Sequence, residues 1–143
     1  VIAYIDGGAR GNPGPAAYGV RIEGEAGALL AELTHCIGVA TNNVAEYRAL
    51  IAALEYLRAQ GYRRVEIRSD SELLVRQMLD QYRVKQATLQ TLHDEARRIA
   101  ASLERVTYHH IPRSENAEAD RLVNEALDEP RVDPRTRERR SSP

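Results

Sequence analysis

The chain has no charge excess: 20 basic residues face 21 acidic ones in 143, a formal net charge of −1. A strongly basic balance would point to a polyanionic partner; here any such affinity must come from a local arrangement or from bound cations. Cysteine is nearly absent. Cys36 stands alone, which excludes an intramolecular disulfide, argues against a cysteine-based zinc site and suits a reducing cytoplasm. It reads as a small buried hydrophobe. No apolar run approaches the ~18 residues of a membrane span, so no membrane association is expected. The chain shows no signal-peptide pattern of basic start, apolar middle and small-residue cleavage site. There is no internal repeat. What remains is a balance of 43% hydrophobic and 29% charged residues, in a length that fits one monomeric domain with a real core.

Alternation and helical spacing divide the chain cleanly. "VIAYI" (1–5) is a short apolar run bounded by Asp-Gly-Gly, which predicts a buried strand. Residues 17–24 alternate, with Tyr18, Val20 and Ile22 on one face, and 28–39 follow after a turn, so an antiparallel meander is expected. The period then changes. Tyr47, Leu50, Ile51, Leu54 and Leu57 give a helix over 42–61, with Asn42 or Asn43 as N-cap and Gly61 as stop. A strand at 62–70 is followed by helices at 71–79 and 88–102, a strand at 104–112 and a helix at 115–128. The order β-β-β-α-β-α-α-β-α predicts an α/β fold with a mixed sheet, a meander on one side, parallel crossovers on the other, and helices on both faces. Residues 129–143, rich in Arg, Pro and Ser, read as a disordered tail or linker after a 1–128 domain.

Four carboxylates have one destination in this arrangement. Asp6 and Asp70 end the first and fourth predicted strands; if these are parallel neighbours, both emerge at the strand C-termini, where open α/β sheets place ligands. Glu46 and Asp120 lie in the first turns of their helices, near the apolar stripes. Each residue alone has a structural reading: an Asp-Gly turn for Asp6, a helix cap for Asp70, the helix macrodipole for Glu46 and Asp120. As a set they form an all-oxygen cluster suited to hard cations such as Mg²⁺ or Mn²⁺. Paired ions held by carboxylates are the working arrangement for displacement at phosphorus.

The segments "YIDGGARGNPGPAAYG", "TNNVAEYRAL", "RSDSELLVRQM" and "ENAEADRLVNEAL" together resemble type 1 ribonuclease H, in that family's order and spacing, over residues 3–127. The resemblance implies a ribonuclease H-like fold with a five-stranded mixed sheet. It implies an endonuclease that cuts the RNA strand of RNA/DNA hybrids, leaving 5′-phosphate and 3′-hydroxyl ends. It also implies two Mg²⁺ ions, with Mn²⁺ as substitute, held by Asp6, Glu46, Asp70 and Asp120. Asp6 would bridge both ions, Glu46 and Asp70 would complete one site, and Asp120 would hold the second ion. The glycine-rich loop, Gly8, Ala9, Arg10, Gly11 and Asn12, with Asn42 and Asn43, would read 2′-hydroxyls and base edges in the minor groove. Thr41 falls where the family places a threonine at a DNA-strand phosphate.

The sequence departs from many family members in two places. The connection "IPRSEN" (111–116) is short and carries no histidine. His109 and His110 precede it within the predicted strand, one expected to face the core or sheet surface and the other the opposite side. Arg113, at a phosphate or product, and Asn116 are the accessory candidates. The segment "LDQYRVKQA" (79–87), where some members carry a basic protrusion, has only Arg83 and Lys85 as cations. Three alternatives stay open: a nuclease of this fold with another duplex specificity, including RNA/RNA; a non-catalytic hybrid-binding module; and a domain fused through the tail to a C-terminal partner.

Overall fold

The computed structural model describes residues 1–129 and, as backbone, 137–140. The strands are β1 (Ile2–Ala9), β2 (Gly14–Glu23), β3 (Leu29–Ala40), β4 (Arg64–Ser69), β5 (Arg105–His110) and β6 (Arg137–Arg140). The helices are α1 (Asn42–Ala59), α2 (Glu72–Met78), α3 (Ala87–Ala101) and α4 (Ala117–Asp128). The sheet order is β5-β4-β1-β2-β3-β6. β1, β4 and β5 run parallel, and the β1-β2-β3 meander is antiparallel. The five-stranded mixed sheet expected from the sequence is present.

Beyond shifts at element ends, two differences from the pattern-based reading stand out. β1 does not stop at Asp6 but runs on to Ala9, because its antiparallel partner β2 continues to pair through Ala9↔Ala16. Its parallel pairing with β4 does stop at Ile5↔Ser69, so Asp6 and Asp70 are the first residues beyond that ladder. The second difference is β6. Residues 137–140, assigned from composition to an irregular tail, pair antiparallel with β3 over Ala31–Thr34. "RERR" has no apolar alternation, so nothing in its sequence pattern signals the main-chain pairing with the edge of β3. The rest of the expected tail, 130–136 and 141–143, lies outside the described residues.

The two faces of the sheet are covered unequally. Ala3, Ile5, Tyr18, Val20, Ile22 and Leu33 point to one face, where they pack with Tyr47, Leu50, Leu54 and Leu57 of α1 and with Ile99 of α3 in the main core. α4 covers the other face through Val123 and Ala126 against Ala17, with Cys36 at the margin. Cys36 is half-buried, and its thiol donates to the Ala126 carbonyl at 3.0 Å.

Two glycines set how closely these helices approach. A Cβ on Gly7 would stand 2.2 Å from the Ala45 carbonyl carbon and 2.5 Å from the Glu46 nitrogen. A Cβ on Gly19 would stand 2.6 Å from both the Ala119 carbonyl oxygen and Leu122 Cβ. Gly7 follows Asp6 in the chain, and Gly19 is its cross-strand partner. The helices bearing Glu46 and Asp120 therefore dock against backbone immediately beside Asp6.

Candidate active site

Local hydrogen bonding explains why the acidic side chains are free for chemistry. The N-cap of α1 is Thr41, not Asn42 or Asn43: its Oγ1 accepts from the Val44 amide at 3.2 Å. Threonine in extended conformation satisfies that end, which puts Glu46 within the second turn. Asp70 does not cap α2. Ser71 does so, with Oγ accepting from the Leu74 amide at 3.2 Å, while Ser69 Oγ accepts from the Ser71 amide at 3.0 Å. The Ser-Asp-Ser segment thus spends its serines on the backbone and leaves the Asp70 carboxylate to face the strand ends.

Glu46, Asp70 and Asp120 all act electrostatically on Asp6, and Asp70 also acts on Glu46. Burial pushes the Asp6 carboxyl up to about 8, reinforced by the charges of Asp70, Asp120 and Glu46 and by a hydrogen bond with Asp120. Burial raises Glu46 to about 7, with Asp70 adding to the rise; a hydrogen bond from Ser71 and the charge of Arg113 oppose it. Carboxylates so placed need a shared proton or a cation to relieve them. Among the described residues no three His, Cys, Asp or Glu side chains close into a ready metal cage. The donors that do interact are all carboxylate oxygens, the set that hard divalent cations prefer, and they carry enough negative charge to attract them. On that chemistry the residues fit such ions.

The residues expected at the substrate divide into scaffold and open groups. The Asn42 side chain accepts from the Ala9 amide at 2.8 Å, and Asn12 Oδ1 accepts from the Asn42 amide at 3.0 Å. The 8–12 loop is thereby pinned to the start of α1. Arg10 donates its main-chain amide to Pro15 O at 2.8 Å, and its guanidinium pairs with Asp128 at 2.7 Å. Gly11 has φ of +86°, which only glycine adopts cheaply. A Cβ on Gly8 would make only ordinary contacts, 3.7 Å from Val123 Cγ1 and 4.0 Å from Asn42 Oδ1. Asn43 lies apart from the loop, lining a groove with Leu73, Tyr82 and Lys85.

The histidines depart from expectation. His109 and His110 are both exposed, on β5 at the edge of the sheet beside α2. The His109 ring contacts Thr107 Oγ1 at 3.1 Å, and His110 stands near Glu72. Arg113, on the turn after β5, is the cation that acts on Glu46.

Three supporting residues are not identified by the sequence pattern, or only in outline. Ser71, through its bond to Glu46, was legible only as part of a capping segment. Asn116 was an accessory candidate without a contact; its amide nitrogen reaches the Ile5 carbonyl at 2.8 Å and Asp70 Oδ2 at 3.4 Å. Asn124 also donates to Asp120 Oδ2, at 3.4 Å.

Comparison with known proteins follows the same outline. Residues 4–126 match the family described as "Reverse transcriptase-like". A ribonuclease HI of Halobacterium salinarum is 44% identical over 130 residues, which are 90% of this chain and 65% of that protein. The crystal structure of RNase H1 from that archaeon superposes with a TM-score of 0.88 at 43% identity, covering 90% of this chain and 98% of the other. A bifunctional protein of Mycobacterium tuberculosis is 43% identical over 129 residues; this chain spans only 35% of its length. LC11-RNase H1, crystallised in complex with RNA/DNA hybrid, has a TM-score of 0.87 and 49% identity over 92% of this chain and 99% of its own.

Proposed function

Since the chain belongs to the type 1 ribonuclease H family, we propose that it is an endonuclease hydrolysing the RNA strand of RNA/DNA hybrids to 5′-phosphate and 3′-hydroxyl products. The observation that carries this reading is the convergence of Glu46, Asp70 and Asp120 on Asp6 at the C-terminal end of the parallel strands. These four side chains would hold two Mg²⁺ ions, or Mn²⁺ in their place. Bound there, the ions would activate water and stabilise the leaving 3′ oxygen.

The chain's own groups have distinct tasks. Ser71 and Arg113 favour ionised Glu46 against its burial, so that it is ready to accept charge-bearing partners. Asn12 and Asn42 hold the 8–12 loop rigid, and the backbone of that loop is offered to the ribose 2′-hydroxyls of the RNA strand. Thr41, fixed as N-cap, sits where a DNA-strand phosphate would approach the start of α1 and its positive dipole end. The short 111–116 connection contains no histidine; the polar groups it brings to the site are Arg113, which acts on Glu46, and Asn116, which reaches Asp70. The length of the mycobacterial relative supports a further domain joined to this one in the full-length protein.

A labelled hybrid, with matched DNA/DNA and RNA/RNA duplexes as controls, tests the proposal in Mg²⁺, Mn²⁺ or chelator. Metal-dependent cleavage confined to the RNA strand of the hybrid is expected. DNA/DNA cut as fast as hybrid, or cleavage undiminished by chelator, would reject it.

A further inference from the structure

Asn116 occupies the N-cap position of α4, yet its side chain makes no cap hydrogen bond. Asparagine is favoured there because its oxygen can accept from the first-turn amides. Here the side chain turns inward and is 1% exposed. Its NH₂ group donates to the Ile5 carbonyl at 2.8 Å and lies 3.4 Å from Asp70 Oδ2. Both partners are acceptors, which fixes the nitrogen end of the amide. The oxygen end is buried without a partner. The residue therefore gives up a cap and leaves an acceptor unpaired, two stability costs that a serine or aspartate cap would avoid.

The placement links separate parts of the site. Ile5 precedes Asp6 on β1. Asp70 is touched directly. The Asn116 carbonyl accepts from the Asp120 amide at 3.1 Å, closing the first turn of α4. One buried side chain and its backbone thus join the end of β1, the residue after β4 and the helix that carries Asp120.

We propose that Asn116 is a positioning residue that orients the Asp70 carboxylate and fixes it relative to Asp6 and Asp120. This rests on the reading of Asp70 as a metal-holding residue of a hybrid nuclease. Groups that orient metal-binding carboxylates typically contribute 10–100-fold to metal affinity or activity.

The test compares the wild-type chain with Asn116→Ser, which restores a cap and removes the donor to Asp70. The variant is expected to melt close to wild type. Its kcat on hybrid should fall by roughly 10–100-fold with KM for hybrid little changed, and calorimetric Mn²⁺ affinity should weaken about 10-fold. Unchanged kcat and Mn²⁺ affinity in a variant of an active wild type would overturn the proposal alone. A rise in KM at constant kcat would also overturn it, by making Asn116 a substrate contact. A wild type inert toward hybrid would instead reject the underlying function. If Asn116→Ser fails to fold, the wild-type Asn116 side-chain amide is followed by NMR during Mg²⁺ titration. A saturable shift of its NH₂ signals is expected, and signals that do not move would overturn the proposal.

Discussion

Gly7→Ala isolates the contact that brings Glu46 to Asp6. The added methyl would lie 2.2, 2.3 and 2.5 Å from Ala45 C, Ala45 O and Glu46 N, where ordinary contact begins near 3.4 Å. All three atoms are backbone, so no rotamer change relieves the overlap. The start of α1 has to retreat by about 1 Å. Overpacking of this kind costs ~1–3 kcal/mol, and rigid neighbours place this case at the upper end. For a domain of this size, about 3 kcal/mol lowers Tm by roughly 6–12 °C. The retreat carries Glu46 with it, and a displacement near 1 Å at a reacting centre costs on the order of 10²-fold in rate. Gly8→Ala is the matched stability control, because its methyl meets nothing closer than 3.7 Å; it should stay within ~0.5 kcal/mol of wild type. Chemical denaturation and thermal melts measure the difference, and kcat is taken well below the Tm of Gly7→Ala. Equal stabilities for the two variants would refute the close-approach argument. A destabilised but fully active Gly7→Ala would separate the packing from the chemistry.

Three other outcomes are expected. Asp6 at about 8 against an ordinary 3.8, and Glu46 at about 7 against 4.5, mean that the metal-free fold binds extra protons. Their stabilising contribution is complete below the unfolded pKa and is lost as pH rises through the folded value, so metal-free Tm should fall between about pH 4 and pH 8. Added Mg²⁺ should raise Tm more at pH 8 than at pH 5; melts showing the reverse order would contradict the charge arrangement. His110→Ala should keep most of the cleavage activity, since the side chain is exposed; a loss as complete as that of an acidic residue would show that this histidine serves the reaction. With only Arg83 and Lys85 on the 79–87 segment, hybrid affinity should depend on salt with a shallow slope; replacing Lys85 by Ala should reduce that slope by about 1, and a steep, unchanged slope would place the phosphate contacts elsewhere.

Much of the site was legible because chemistry and periodicity coincide in it. Asp6 follows an apolar run and Asp70 an alternating one, and parallel pairing of those strands is enough to bring them to one edge. Glu46 and Asp120 sit beside apolar stripes that have to face the sheet. Less was legible where a residue's role depends on what it meets. Gly7 reads as part of a permissive loop, but its missing side chain admits the backbone of α1. Asn42 and Asn43 look like caps until Thr41 takes the cap and Asn42 is spent on Ala9. The two histidines follow strand alternation, yet on this edge strand both are exposed. Residues 137–140 pair with β3 along the main chain, for which side-chain patterning carries no signal. Asn116 shows the same limit from inside the core: the sequence offers it only as an accessory candidate, and only the fold turns it toward Asp70.

The central claim is that these carboxylates hold the ions that cut a ribose-bearing strand. Asp70→Asn tests it most directly, because the substitution keeps the shape of a residue that caps no helix while removing its charge. Cleavage of labelled hybrid in Mg²⁺ and the melting temperature are measured on the same preparations. Cleavage lost with Tm unchanged or raised is the predicted result; turnover equal to wild type would contradict it.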